Sequence, residues 1–196
     1  MNRKSTPERL NAFSDGVFAI IITILVLELR APESASFAAL LPLWPTALSY
    51  AVSYFFLAIV WVNHHHLLQY AEIATPRLIW GNFAHMFSMS LLPFATAWMA
   101  DTRLAPVPVS VYAGVFVLVN ATYLLLCWEV VDRPQQENVP ARTRRMMRMR
   151  SVLTLAAFAV ASLIALKYPL GGLGLICACL LFYVKPEAPT VGARAD

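Results

Sequence analysis

Long apolar runs separated by short polar breaks fill the chain. Six runs stand out: Gly16–Leu29, Leu43–Val62, Leu78–Ala100, Val107–Val131, Val152–Leu166 and Leu170–Val184. A bilayer core about 30 Å thick is crossed by about 20 helical residues. The second, third and fourth runs meet that length, whereas the first, fifth and sixth need their flanks. Only Lys167, Tyr168 and Pro169 separate the last two, which suits a tight helical hairpin. Merging them would leave a lysine and a proline near mid-membrane. The pattern therefore predicts an all-α integral membrane protein with six transmembrane helices per subunit. One membrane domain spans residues 1–185, and residues 186–196 form a short polar tail.

Composition excludes the main alternatives. Of 196 residues, 59% are apolar and 13% charged, with a mean hydropathy of +0.63. A soluble domain carries about 25% charged residues, so this chain lacks the charge to coat a water-facing surface. Cys127, Cys177 and Cys179 cannot all pair within one chain and lie in apolar runs, where cysteine behaves as a small hydrophobe. The first run has the length of a signal sequence, preceded by Arg3, Lys4 and Arg9. Asp15 abuts it, however, and Leu29-Arg30-Ala31-Pro32-Glu33 is a poor cleavage site, so it is expected to stay as a mature helix.

Orientation follows from basic residues. With six spans and both termini cytoplasmic, the inside segments hold 12 lysines and arginines, and the outside segments hold only Arg30, Arg103 and Lys167. Six of the 12 fall in Asp132–Arg150, expected to be a cytoplasmic anchor on anionic lipid, and not a nucleic-acid site.

The first helix is the informative one. Thr6 suits the cap, Pro7 the first helical position and Glu8 the positive end of the helix dipole. The helix then runs to Leu29, ahead of Ala31-Pro32. Its first third carries Glu8, Arg9, Asn11, Ser14 and Asp15, a polar end that must be covered by protein or face water. At about 100° per residue, Phe13, Gly16, Ile20, Thr23, Ile24 and Leu27 share one face, and Asp15 lies about 140° from Ile20. A carboxylate this close to the membrane needs partners; Arg9 and the histidines of the second helix are the candidates.

Arg9-Leu10-Asn11-Ala12-Phe13-Ser14-Asp15, with Gly16-Val17-Phe18-Ala19-Ile20 after it, has the form R-x-x-x-F-S-D. It resembles the signature of the transmembrane protein 175 family, potassium channels of bacteria and lysosomes. Trp61-Val62-Asn63-His64-His65 is similar to that family's tryptophan-and-histidine segment, as is Leu91-Leu92-Pro93-Phe94 to part of its third span. The resemblance implies a homotetramer of six-helix subunits without a TVGYG filter, in a bacterial inner membrane, with the first helix lining a central pore. It places Ile20 at a hydrophobic constriction, Thr23 at a hydroxyl layer and Leu27 at a further apolar ring. Arg9, Phe13, Ser14, Asp15, Trp61, His64 and His65 would form a polar network behind that helix. Potassium ions would be the permeant partner. Alone, Thr23 has a plainer fate, a hydrogen bond back to the carbonyl of Ala19.

Other chemistry is weakly signalled. His64-His65-His66 point about 100° apart and cannot grip one ion together; Asn82 and His85 are placed to face His64 or Asp15. Asn120 and Thr122 suit interhelical hydrogen bonds, and Pro93 and Gly171-Gly172 suit kinks or close packing. Met146, Met147 and Met149 among arginines suit an interfacial helix. No nucleophile elbow, phosphate loop, paired catalytic carboxylates or cofactor fingerprint is present, so neither enzyme activity nor a cofactor is expected. The alternative to a channel is a secondary transporter or proton pathway using Asp15 and the membrane histidines.

Overall fold

A computed structural model describes residues 7–132 and 141–183. Its elements in chain order are α1 (Pro7–Leu27), a 3-10 segment (Phe37–Leu43), α2 (Trp44–Leu68), α3 (Pro76–Ser90), α4 (Leu92–Asp101), α5 (Pro106–Cys127) with a π-helical turn (Trp128–Asp132), α6 (Ala141–Ala165) and α7 (Pro169–Tyr183). No strand occurs among the described residues. Four helical stretches, Pro7–Leu27, Phe37–Leu68, Pro106–Asp132 and Arg144–Ala165, are long and apolar enough to cross a membrane. The Thr6 cap and the tail after Lys185 lie outside the described residues.

The apolar runs coincide with the helices, and the departures have physical causes. The third run is a broken rod: α3 ends at Ser90, Leu91 makes the joint, and Pro93 opens α4, where its missing N–H costs nothing. The second run continues through the three histidines to Leu68, and among the described residues α6 reaches back eleven residues before Val152. In both cases hydropathy marks where a helix would enter lipid, not where it ends. The fourth run closes in the π turn Trp128–Asp132. Exposed apolar residues on the 3-10 segment, Phe37 and Leu41 among them, precede α2.

The core draws buried residues from all seven helices, with Phe56, Tyr112, Phe116 and Phe158 among them. Phe56 stacks on Phe116, and Phe158 meets both rings edge-on. A buried hydroxyl cluster crosses it: Ser53 lies 2.7 Å from Thr96 and 2.9 Å from Tyr112, joining α2, α4 and α5. At the α6–α7 hairpin, a Cβ on Gly172 would come within 2.7 Å of the Ala161 carbonyl oxygen and of the Ala165 Cβ, so the two backbones touch only because this residue is glycine.

Candidate functional site

The two faces of α1 separate in space. Leu10, Ser14, Phe18, Ile21 and Leu25 are buried against the subunit. Gly16, Ile20, Thr23, Ile24 and Leu27 are exposed, Ile20 at 59% and Leu27 at 75%. Thr23 donates its hydroxyl hydrogen back to the helix, but to the carbonyl of Ile20 (2.8 Å) and not to that of Ala19. A hydroxyl has one hydrogen and two lone pairs, so this bond leaves the Thr23 oxygen an acceptor on the open face.

Two hydrogen-bonded chains hold the other face. In the first, His64 Nε2–H donates to Asn82 Oδ1 (2.7 Å), Asn82 Nδ2 donates to Ser14 Oγ (2.9 Å), and Ser14 donates to the Leu10 carbonyl (2.9 Å). Ser14, Asn82 and His64 are fully buried, so every link replaces water. The His64 ring stacks on His85, which bonds Thr122 on α5 at 3.0 Å. The chain therefore ties α1 to α2, α3 and α5. Asn82 and His85, expected to face His64 or Asp15, both face His64.

The second chain serves Asp15. Trp61 Nε1–H donates to Asp15 Oδ1 at 2.8 Å, and Asn11 Nδ2 donates to Oδ2 at 3.4 Å. Asn11 also stands 3.5 Å from His65 Nδ1, and the His65 ring stacks on Trp61. Arg9 is exposed and makes no ion pair with Asp15 among the described residues. Six helical positions set the two side chains about 120° apart. Phe13 joins neither chain; its ring packs against Phe83 of α3 at 5.2 Å. The three adjacent histidines diverge, with His64 on Asn82, His65 on Trp61 and Gln69, and His66 exposed.

Two contributors escaped the sequence. Asn11 sits four residues before Asp15, a helical neighbour spacing that points to the pair. The Phe13–Phe83 contact left no local signal, because only tertiary packing brings these helices together. Thr122 makes the interhelical bond expected of it, whereas the Asn120 side-chain oxygen has no partner among the described residues.

The chain has relatives of known kind. The family model described as endosomal/lysosomal potassium channel TMEM175 matches residues 9–93, which contain α1 from Arg9 onward, α2, α3 and both hydrogen-bonded chains apart from Thr122. A potassium channel of Chryseobacterium sp. (strain P1-3) is 34% identical over 182 residues, covering 93% of this chain and 94% of that protein. One from Chamaesiphon minutus is 31% identical over 92% of this chain and 94% of its own. The crystal structure of a lysosomal potassium-selective channel TMEM175 homolog from Chamaesiphon minutus superposes with a TM-score of 0.81 at 26% identity, over 91% of this chain and 96% of the other. With near-complete coverage in sequence and in fold, the chain belongs to the TMEM175 family.

Proposed function

We propose that the protein is a potassium-preferring cation channel of the cell inner membrane, a homotetramer in which α1 of each subunit lines a central pore. Residues 1–185 form the channel domain, both termini are cytoplasmic, and 186–196 is the tail. One observation carries the reading: a single face of α1 is locked to the subunit while the opposite face, from Gly16 to Leu27, is left uncovered. The relatives named as potassium channels, similar over nearly the whole chain, support it. Gly16 has open space where a Cβ would stand, which lets neighbouring copies of α1 approach there.

Four Ile20 side chains around an axis make a constriction that expels water and so blocks ions without a plug. Four Thr23 oxygens, their hydrogens engaged by Ile20 carbonyls, face the axis as acceptors for a partly dehydrated cation. Leu27 narrows the path one turn further on. Asp15, Trp61, Ser14 and His64 act behind the wall, holding the rotation of α1. In liposomes with opposed potassium and sodium gradients, Ile20→Asn is expected to raise flux severalfold over the parent protein. Unchanged flux from a protein that purifies as a monomer would overturn the reading.

A proton pathway has one observation in its favour. In the buried His64–His85 stack, His64 Nδ1 and His85 Nε2 have no hydrogen-bond partner among the described residues. Such a pathway requires acidification of potassium-free liposomes that His64→Gln abolishes while potassium flux persists.

A further inference from the structure

Charge is concentrated in one stretch of the sequence. Residues 132–150 hold six of the chain's 15 basic residues and two of its 11 acidic ones, so elsewhere nine of each cancel and the whole net charge of +4 belongs to this segment. There, Asp132, Arg144, Arg145 and Arg148 line an open cleft of about 480 Å³ between the end of the π turn and the first turns of α6. Arg148 Nη2 donates to Asp132 Oδ1 at 2.8 Å, which uses the carboxylate and fixes one wall. Arg144 and Arg145 have no carboxylate partner among the described residues.

The depth of the cleft selects its occupant. From Arg150 to its end at Ala165 the α6 rod rises about 22 Å at 1.5 Å per residue, most of a hydrocarbon core about 30 Å thick, and Lys167 follows just beyond it. Between these basic residues the segment Val152–Ala165 carries no charge. The cleft therefore lies just outside the acyl region, at the level of lipid phosphates. Trp128, 56% exposed at the same end of α5, is placed where aromatic residues mark that boundary. A guanidinium presents a flat fork of N–H donors that matches phosphate oxygens two at a time, and the positive end of the α6 dipole adds to the attraction.

We infer that this cleft is a binding site for the phosphate of an anionic phospholipid, held by Arg144 and Arg145 against the wall formed by the Asp132–Arg148 pair. It joins the lipid to α5 and α6, which pack closely along the core, so an occupied site stabilises the subunit. The inference is independent of what passes through the pore.

The test uses the purified full-length protein in a neutral detergent, titrated with phosphatidylglycerol, phosphatidylcholine or inorganic phosphate at equal phosphorus, with melting temperature as the readout. Phosphatidylglycerol is expected to raise the melting temperature saturably, and the other two to leave it within error. Arg144→Gln/Arg145→Gln should weaken the half-saturating lipid concentration by about tenfold or more, as expected for loss of charge-assisted hydrogen bonds. Arg145→Gln alone, an exposed change that folding tolerates, should weaken it by a smaller factor, and the exposed Arg142→Gln, outside the cleft, should match the parent. Three results would overturn the proposal: an undiminished response in Arg145→Gln, an equal loss in Arg142→Gln (diffuse charge instead of a site), or an equal response to phosphatidylcholine. Stabilisation by inorganic phosphate equal to that by the lipid would also overturn it, assigning the cleft to a soluble anion.

Discussion

Asn82 joins two helices through one amide, accepting from His64 and donating to Ser14. Its replacement by alanine would leave a buried imidazole N–H without an acceptor, at a cost of about 1–3 kcal/mol. Asn82→Ala should therefore lower the melting temperature of the purified protein, while Gln69→Ala, which removes an exposed contact to His65, should leave it nearly unchanged. Equal melting temperatures would show that the chain through Ser14 does not hold α1. Thr23 is the complementary case, since it is exposed and bonds only its own helix. Thr23→Val keeps its shape and removes the oxygen. It should change the potassium-to-sodium permeability ratio in bilayer recordings while leaving expression and melting as they were; an unaltered ratio would remove Thr23 from the selectivity assignment.

Helices meet here under constraints that single positions set. On α7, a Cβ at Gly172 would collide with α6 at 2.7 Å, whereas at Gly171 its nearest neighbours would lie at 3.5 Å, ordinary contact. Gly172→Ala is thus expected to destabilise the hairpin by about 1–3 kcal/mol through overpacking, and Gly171→Ala to be neutral or mildly stabilising through helix propensity. Thermal melting of the two variants side by side checks this, and similar effects would refute the close approach. The helices themselves were largely legible: α1 is helical from the first described residue, Pro7, through the first run to Leu27, and α7 starts at Pro169, at the predicted break between the last two runs. A helix through Met146, Met147 and Met149 was expected at the interface, but its continuity with α6 was not, because an arginine-rich stretch outside the membrane shows no apolar signal.

The whole molecule presents apolar surface on nearly every helix, from Phe55 on α2 to Phe182 on α7. Exposure alone thus does not separate a pore-facing stripe from a lipid-facing one. On α1 the proposed distinction is between copies: four Leu27 side chains around one axis lie close together, four lipid-facing ones far apart. In a variant with Cys127, Cys177 and Cys179 replaced by serine, Leu27→Cys should form disulfide-linked dimers on mild oxidation in membranes. Phe182→Cys, equally exposed on α7, should not. No cross-link at residue 27, or equal cross-linking at both, would place α1 away from the axis.

Membrane embedding, the span pattern and the division of α1 into a greasy and a polar face were written in local order alone. Mean hydropathy and the 3.6-residue helical repeat act over one or two turns and need no partner. The R-x-x-x-F-S-D resemblance likewise needed only contiguous residues, and the similarity to a bacterial potassium channel over nearly the whole chain agrees with the family it pointed to. The partners of that signature were decided in three dimensions. Trp61 is 46 positions from Asp15, and Asn82 is 68 from Ser14. Arg9, close in sequence to Asp15, is turned aside by the helical repeat, and Phe13 packs on Phe83. A buried polar group takes whatever donor the fold carries to it, and which donor arrives depends on how the helices cross, a property that no single helix encodes.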